Sequence, residues 1–102
     1  MSSFDERKDA FENKFIHDQQ MQFKIEAHRN KLLGAWAAQL LNLSGSKVEA
    51  YIKEVVRSDF EEAGYEDVVR KLREDLKGIM DEETIRKKMV EFHEESKTKF
   101  KI

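Results

Sequence analysis

The amino-acid sequence predicts an all-α fold, and three observations support this prediction. Proline is absent and glycine occurs only four times in 102 residues, so few positions favour a break in regular structure. Residues with high helix propensity, such as Glu, Lys and Leu, are common. Apolar residues also recur at three- and four-residue steps along most of the chain, as they do in amphipathic helices. Because a chain of this length usually forms one domain, we expect a single compact four-helix bundle.

The first helix of the predicted bundle covers residues 18–43. Its apolar face contains Met21, Ile25, Leu32, Trp36, Leu40 and Leu43, and Leu33, Ala37 and Leu41 widen it. A face of this width at helical spacing predicts burial in the core. We expect the helix to end at Ser44 and Gly45, because glycine readily adopts the left-handed conformation that terminates helices.

Three shorter helices are predicted at residues 47–63, 66–77 and 82–98. Ser46 and Glu49 have the spacing of a capping box, which indicates a helix start. Gly64 and Gly78 are placed to end the second and third helices, and Asp81 is a candidate N-cap for the fourth. The predicted core residues of these helices are Val48, Tyr51, Ile52, Val55, Val56, Ala63, Val68, Val69, Leu72, Leu76, Ile85, Met89 and Phe92.

Residues 1–17 have a different pattern. Phe4, Phe11 and Phe15 fall within about 40° of one another on a helical wheel, and most positions between them are polar or charged. One interpretation is that this narrow aromatic seam adds a further wall to the core. The other is that residues 1–17 form a mobile or marginally helical arm, separate from the bundle of residues 18–102, that lies in a groove of a partner protein.

Composition and charge exclude several classes of partner. The net charge is −2, and both signs are interspersed along the chain, so we expect neither nucleic acid nor anionic lipid as a partner. The start of the chain does not resemble a signal peptide, and its apolar stretches are too short to span a membrane. Cysteine is absent, as expected in a reducing compartment. These features predict a cytoplasmic protein, monomeric when free.

The sequence also lacks the usual patterns of catalytic and metal sites. His17, His28 and His93 never occur at the three- or four-residue spacing by which one helix presents two imidazoles to a metal. Neighbouring carboxylates such as Glu61 and Glu62 do not face each other on a helix. We therefore expect no metal, no catalytic residues and no enzymatic activity.

Three separated motifs are similar to one known family. They are Ala10-Phe11-Glu12-Asn13-Lys14-Phe15-Ile16-His17-Asp18, then Arg29-Asn30-Lys31-Leu32-Leu33-Gly34-Ala35-Trp36-Ala37-Ala38, then Asp59-Phe60-Glu61-Glu62-Ala63-Gly64. In this order they resemble the zeta-type inhibitor subunit of the α-proteobacterial F-type ATP synthase, a small family also catalogued as a domain of unknown function. The similarity covers nearly the whole chain.

The resemblance implies a four-helix bundle with a mobile N-terminal arm. In this family the arm enters a catalytic interface between the α and β subunits of the synthase head and blocks rotation during ATP hydrolysis. The partner-binding residues predicted on this basis are Phe4, Arg7, Phe11, Glu12, Lys14, Phe15 and His17. His17 would make inhibition depend on pH.

Two further expectations concern nucleotides and an alternative function. The resemblance implies weak adenine nucleotide binding, although the chain has no glycine-rich phosphate loop, so no cofactor is predicted. The alternative to an inhibitor of ATP hydrolysis is a nucleotide-responsive or assembly-associated helical protein without strong inhibitory activity.

Overall fold

A computed structural model describes the backbone of residues 2–59 and 65–100 and the side chains of residues 19–59 and 65–100. This part of the chain contains four helices and no strand: α1 (Ser2–Leu40), α2 (Ser46–Ser58), α3 (Glu66–Asp75) and α4 (Glu82–Lys99). Helix α1 packs against α2 and α4, and α3 contacts the same two helices. The predicted all-α four-helix fold is confirmed.

Helix α1 is much longer than the other three. Its 39 residues correspond to about 58 Å at the usual rise of 1.5 Å per residue, and the molecule measures 64 × 27 × 24 Å. The predicted first helix began at residue 18, whereas α1 begins at Ser2. No proline or glycine occurs before Gly34, so nothing in the backbone chemistry separates residues 2–17 from the helix that follows.

The end of α1 differs from the prediction. Asn42, rather than Gly45, adopts the left-handed conformation next to the helix, with a φ of 60°. The N–H of Leu43 donates to the carbonyl of Ala38 at 3.0 Å and the N–H of Asn42 donates to that of Gln39 at 3.1 Å. This pair of hydrogen bonds is a Schellman motif, in which asparagine can replace glycine.

Helix α2 begins close to the predicted position but without the predicted capping box. Gly45 is its N-cap, with a φ of 62°, and no side chain caps the helix. Ser46 is instead the first helical residue, so its hydroxyl lies past the capping position. Asp59 is the C-cap, and the predicted helix end at Gly64 lies outside the described residues, as does Ala63.

The connection between α3 and α4 agrees in part with the sequence. Gly78 has a φ of 82°, a conformation that favours glycine, and it follows α3 after a short turn. Asp81 is the N-cap of α4, and its side chain accepts a hydrogen bond from the N–H of Thr84 at 3.2 Å. The predicted N-cap at Asp81 is confirmed, whereas α3 ends at Asp75 with Leu76 as its C-cap, so Gly78 shapes the turn after the helix rather than ending it.

All but one of the eleven buried core residues in the described part of the chain were predicted from the sequence, the exception being Ala38. The buried members of the core are Leu33, Ala37, Ala38, Tyr51, Val55, Val68, Val69, Leu72, Leu76, Ile85 and Met89. Of the nine apolar residues predicted on the first helix, however, two are buried, Leu33 and Ala37, and the others, including Trp36 and Leu40, are only partly buried, so the buried face is centred on Leu33 and Ala37. On this face α1 crosses α2 closely, because a Cβ at Gly34 would lie only 3.0 Å from the Cα of Ile52.

Candidate functional site

The N-terminal part of α1 extends past the ends of its partner helices. His28 contacts Ser96 and Phe100 at the end of α4, and Asn30 contacts Asp59, the C-cap of α2. Both neighbours of α1 therefore end beside residues 28–30. Residues 2–27 continue the same helix for about 39 Å at 1.5 Å per residue.

The seven predicted partner-binding residues all lie in this extension. They are Phe4, Arg7, Phe11, Glu12, Lys14, Phe15 and His17, and their side chains lie outside the described residues, so their contacts stay a prediction. The helical backbone nevertheless fixes the spacing of their positions. Positions 4, 11 and 15 fall on the side of α1 that carries Leu33 in the core, since 18 residues from position 15 to Leu33 make five helical turns.

A buried polar cluster lies at the base of this extension and joins three helices. Arg29 on α1 is only 4% exposed. Its Nε donates to Oδ1 of Asn30 at 3.1 Å, and its Nη1 donates to Nδ1 of His93 on α4 at 3.3 Å. Its Nη2 lies 3.8 Å from Oδ2 of Asp59, and that oxygen also accepts a hydrogen bond from Nδ2 of Asn30 at 3.0 Å.

Burial shifts the pKa of each ionisable group in the cluster in the direction that favours the neutral form of the group. The pKa of Arg29 is lowered by burial, an effect that the nearby Asp59 opposes. Burial raises the pKa of Asp59, and the hydrogen bond from Asn30 and the positive charge of Arg29 oppose this rise. The pKa of His93 is lowered by burial and by Arg29. The cluster therefore joins α1 to α2 and α4, and removal of one member would leave the others buried without compensation.

The apolar pattern of the sequence does not predict this cluster, in which Arg29 and Asn30 come from one family motif and Asp59 begins another. One signal was present, because Arg29 lies four residues after Ile25 and four before Leu33, on the apolar side of the helix. A charged residue at such a position indicates a buried ion pair.

An open cleft of about 270 Å³ adjoins the cluster and is lined by Arg29, Tyr65, Met89, Val90, His93 and Glu94. Its volume is just below the range of about 300 to 1,000 Å³ that is typical of small-molecule sites. The cation in its wall, Arg29, is already bonded to the cluster. Within residues 19–59 and 65–100, no group of histidine and acidic side chains is arranged to hold a metal.

No helix in the described part of the chain has the length and apolar character needed to cross a membrane. The described part of the chain is a helical bundle with a polar cluster at its end, and one long helix extends from it. This arrangement can present a helix to a partner protein.

Comparison with known proteins identifies the family. The chain matches the family described as ATPase inhibitor subunit zeta over residues 1–99. It is also similar to a protein whose structure was solved by solution NMR, with 49% sequence identity and a TM-score of 0.72. That similarity covers 78% of this chain and 93% of the other. No curated protein matches. The chain therefore belongs to the ATPase inhibitor subunit zeta family, as its motifs indicated.

Proposed function

We propose that this protein inhibits ATP hydrolysis by the F-type ATP synthase by inserting residues 1–17, at the far end of the N-terminal extension of α1, at a catalytic interface between the α and β subunits. The inserted helix blocks rotation by occupying space that must close during hydrolysis. The protein performs no catalysis of its own, acts as a monomer and works at the cytoplasmic face. Membership of an ATPase inhibitor family supports the inhibitory role.

The observation that carries this proposal is the extension itself. Helices α2 and α4 end beside residues 28–30 of α1, while α1 continues to Ser2. Positions 4, 11 and 15 continue the core-facing side of α1 beyond the point where α2 and α4 end. An aromatic seam in that position matches the mode in which an amphipathic helix binds a groove.

The energetics fit a binding arm that works together with further contacts. Burial of three phenylalanine side chains contributes roughly 5 to 9 kcal/mol before costs. Immobilising the side chains on binding takes back about 0.5 to 1.5 kcal/mol for each one held in place. Contacts from the charged residues Arg7, Glu12 and Lys14, or from the bundle, then supply the rest of the affinity.

A paired substitution tests the seam. The double variant Phe11→Ala/Phe15→Ala should weaken inhibition of ATP hydrolysis by the isolated synthase head about 100-fold or more, since each lost side chain removes roughly 1.5 to 3 kcal/mol of burial. Phe23→Ala is the matched control, because Phe23 lies on α1 outside the seam and is 58% exposed. It should change potency less than about threefold.

Equal potency of the double variant and the wild type would refute the seam as the inhibitory element. If the wild-type chain leaves hydrolysis unchanged at every concentration, the alternative of a nucleotide-responsive or assembly-associated protein is favoured instead.

A further inference from the structure

A shallow groove lies between α1 and α2 on the outside of the bundle. Its volume is about 250 Å³, and it is lined by Lys31, Ile52, Lys53, Val56 and Arg57. Ile52 and Val56 are half-buried and form an apolar floor, while the three cationic residues are exposed. We call these five residues the basic groove. It lies beside the close crossing of the two helices at Gly34 and Ile52.

The cations of the basic groove differ from those on the opposite side of the bundle. On α3 and α4, seven cations lie within 4 Å of a carboxylate: Arg70, Lys71, Arg73, Arg86, Lys87, Lys88 and Lys97. Among the described residues, Lys31, Lys53 and Arg57 have no such ion pair. Glu49, one turn before Lys53, does not pair with it either. Within the described part of the chain, Lys47 and Lys77 also lack an ion pair but lie outside the groove, so what distinguishes the groove is that three unpaired cations surround one apolar floor.

The groove is also close to the extension of α1. Lys31 lies on α1 only one residue after Asn30, where α2 ends. Lys24, two turns earlier on the same side of α1, is exposed as well and continues the positive charge toward the N-terminus. A partner that holds the extension is thus within reach of the basic groove.

We propose that the basic groove docks an acidic, amphipathic segment of the synthase head, so that the bundle and the extension of α1 bind together. This inference rests on the proposed function and identifies the surface of the bundle that takes part in it. The apolar floor selects a protein segment with apolar side chains, and the cationic rim selects carboxylates around them. With a net charge of −2 for the chain, the positive field is local, which favours a contact partner over nucleic acid.

Charge reversal at the groove, with a matched control, tests the docking surface. In the full-length chain, Lys31→Glu/Lys53→Glu should weaken binding to the synthase head about tenfold or more at low salt. The difference should shrink to about threefold or less near 0.5 M salt, because salt screens exposed charges. Lys47→Glu/Lys77→Glu makes the same change in net charge at exposed positions outside the groove and should alter binding less than about twofold.

Chemical cross-linking identifies the chemistry of the partner segment. A carbodiimide joins a lysine amine to a carboxylate in contact with it, so Lys31 or Lys53 should become linked to an aspartate or glutamate of the head. The variant Lys31→Arg/Lys53→Arg keeps both charges but lacks the reactive amines. It should bind within about threefold of the wild type and lose the cross-links, which a general loss of folding would not produce.

Each outcome decides the proposal. If Lys31→Glu/Lys53→Glu binds like the wild type while Phe11→Ala/Phe15→Ala loses inhibition, the docking surface is refuted and the proposed function stands. If the wild type does not bind the head at all, both are refuted. Binding to phosphatidylserine vesicles that depends on Lys31 and Lys53, without binding to the head, would assign the groove to a membrane surface and overturn the proposal.

Discussion

Arg29 on α1 donates a hydrogen bond from Nη1 to Nδ1 of His93 on α4 at 3.3 Å. A guanidinium group has only donors, so Nδ1 of His93 must accept and the imidazole is neutral. Protonation of His93 would remove this acceptor and place two positive charges side by side. The interaction therefore links the packing of α1 against α4 to the protonation state of one histidine.

Stability should fall under mildly acidic conditions. Burial lowers the pKa of both His93 and His28 from the usual 6.5, so the folded state binds fewer protons than the unfolded state below that pH. Both contributions are complete above pH 6.5 and are lost as the pH falls toward the folded-state pKa values. Thermal melts from pH 7.5 downward should show a falling melting temperature.

The variant His93→Gln tests this prediction, because its side-chain oxygen can accept from Arg29 without titrating. The decrease in melting temperature just below pH 6.5 should become smaller in His93→Gln and smaller again in His28→Gln/His93→Gln. At lower pH, Asp59 acts in the opposite direction, because its raised pKa favours the folded state when protonated. An unchanged pH profile in the double variant would contradict the assignment.

Removal of Asp59 should destabilise the bundle strongly. Asp59→Ala leaves Arg29, with a side chain that is 5% exposed, buried without its carboxylate, and we expect a loss of roughly 2 to 4 kcal/mol. Glu83→Ala is the control, because Glu83 and Lys87 form an exposed ion pair at 3.6 Å and should contribute less than about 0.5 kcal/mol. Denaturant unfolding measures both changes.

The double variant Arg29→Met/Asp59→Ala separates a buried charge from simple loss of contacts. If the uncompensated charge is the main cost, the double variant should be more stable than Asp59→Ala alone. Additive losses would show that packing dominates.

A methyl group at Gly34 should destabilise the protein, because α1 and α2 cross closely there. In Gly34→Ala the new Cβ would lie 3.0 Å from the backbone Cα of Ile52, so the helices must separate slightly. Alanine is the better helix former by about 1 kcal/mol, but overpacking of this kind costs about 1 to 3 kcal/mol. We expect a net loss of about 1 kcal/mol in unfolding free energy. A gain in stability would contradict this prediction and show that α2 can shift away from α1 without losing packing.

Asn42 should tolerate glycine better than alanine. Its φ of 60° is costly for alanine, so Asn42→Ala should lose about 0.5 to 1 kcal/mol. Asn42→Gly should be neutral or slightly stabilising, since glycine is the commonest residue at this position of a Schellman motif. Equilibrium unfolding of the two variants gives the comparison, and equal stability would argue against the left-handed conformation.

Local chemistry explains which parts of the fold the sequence predicted well. The cap at Asp81 and the turn at Gly78 depend on neighbouring residues alone, and the structure agrees with both. The sequence predicts the end of α1 at Gly45, because glycine is the stronger signal for a helix end. In the structure Asn42 forms the Schellman motif three residues before Gly45. The number of helices and most core residues followed from apolar periodicity, which survives errors of a few residues at helix ends.

Tertiary contacts explain what the sequence did not predict. The cluster of Arg29, Asn30, Asp59 and His93 joins residues up to 64 positions apart, and no local pattern pairs them. The burial of Leu33 and Ala37 rather than Trp36 on α1 is likewise a matter of packing between helices, which cross closely at Gly34 and Ile52. The roles of the N-terminal residues, from Phe4 to His17, stay predictions that rest on periodicity and family resemblance.

We propose that residues 1–17 inhibit the synthase while the rest of the chain carries them. The direct measurement is ATP hydrolysis by the isolated synthase head in the presence of the full chain or of a chain that begins at Asp18, alongside thermal melting of both. We expect that the shortened chain loses inhibition and keeps a melting temperature close to that of the full chain, because the contacts of His28 and Asn30 that join α1 to α4 and α2 remain. Undiminished inhibition by the shortened chain would contradict it.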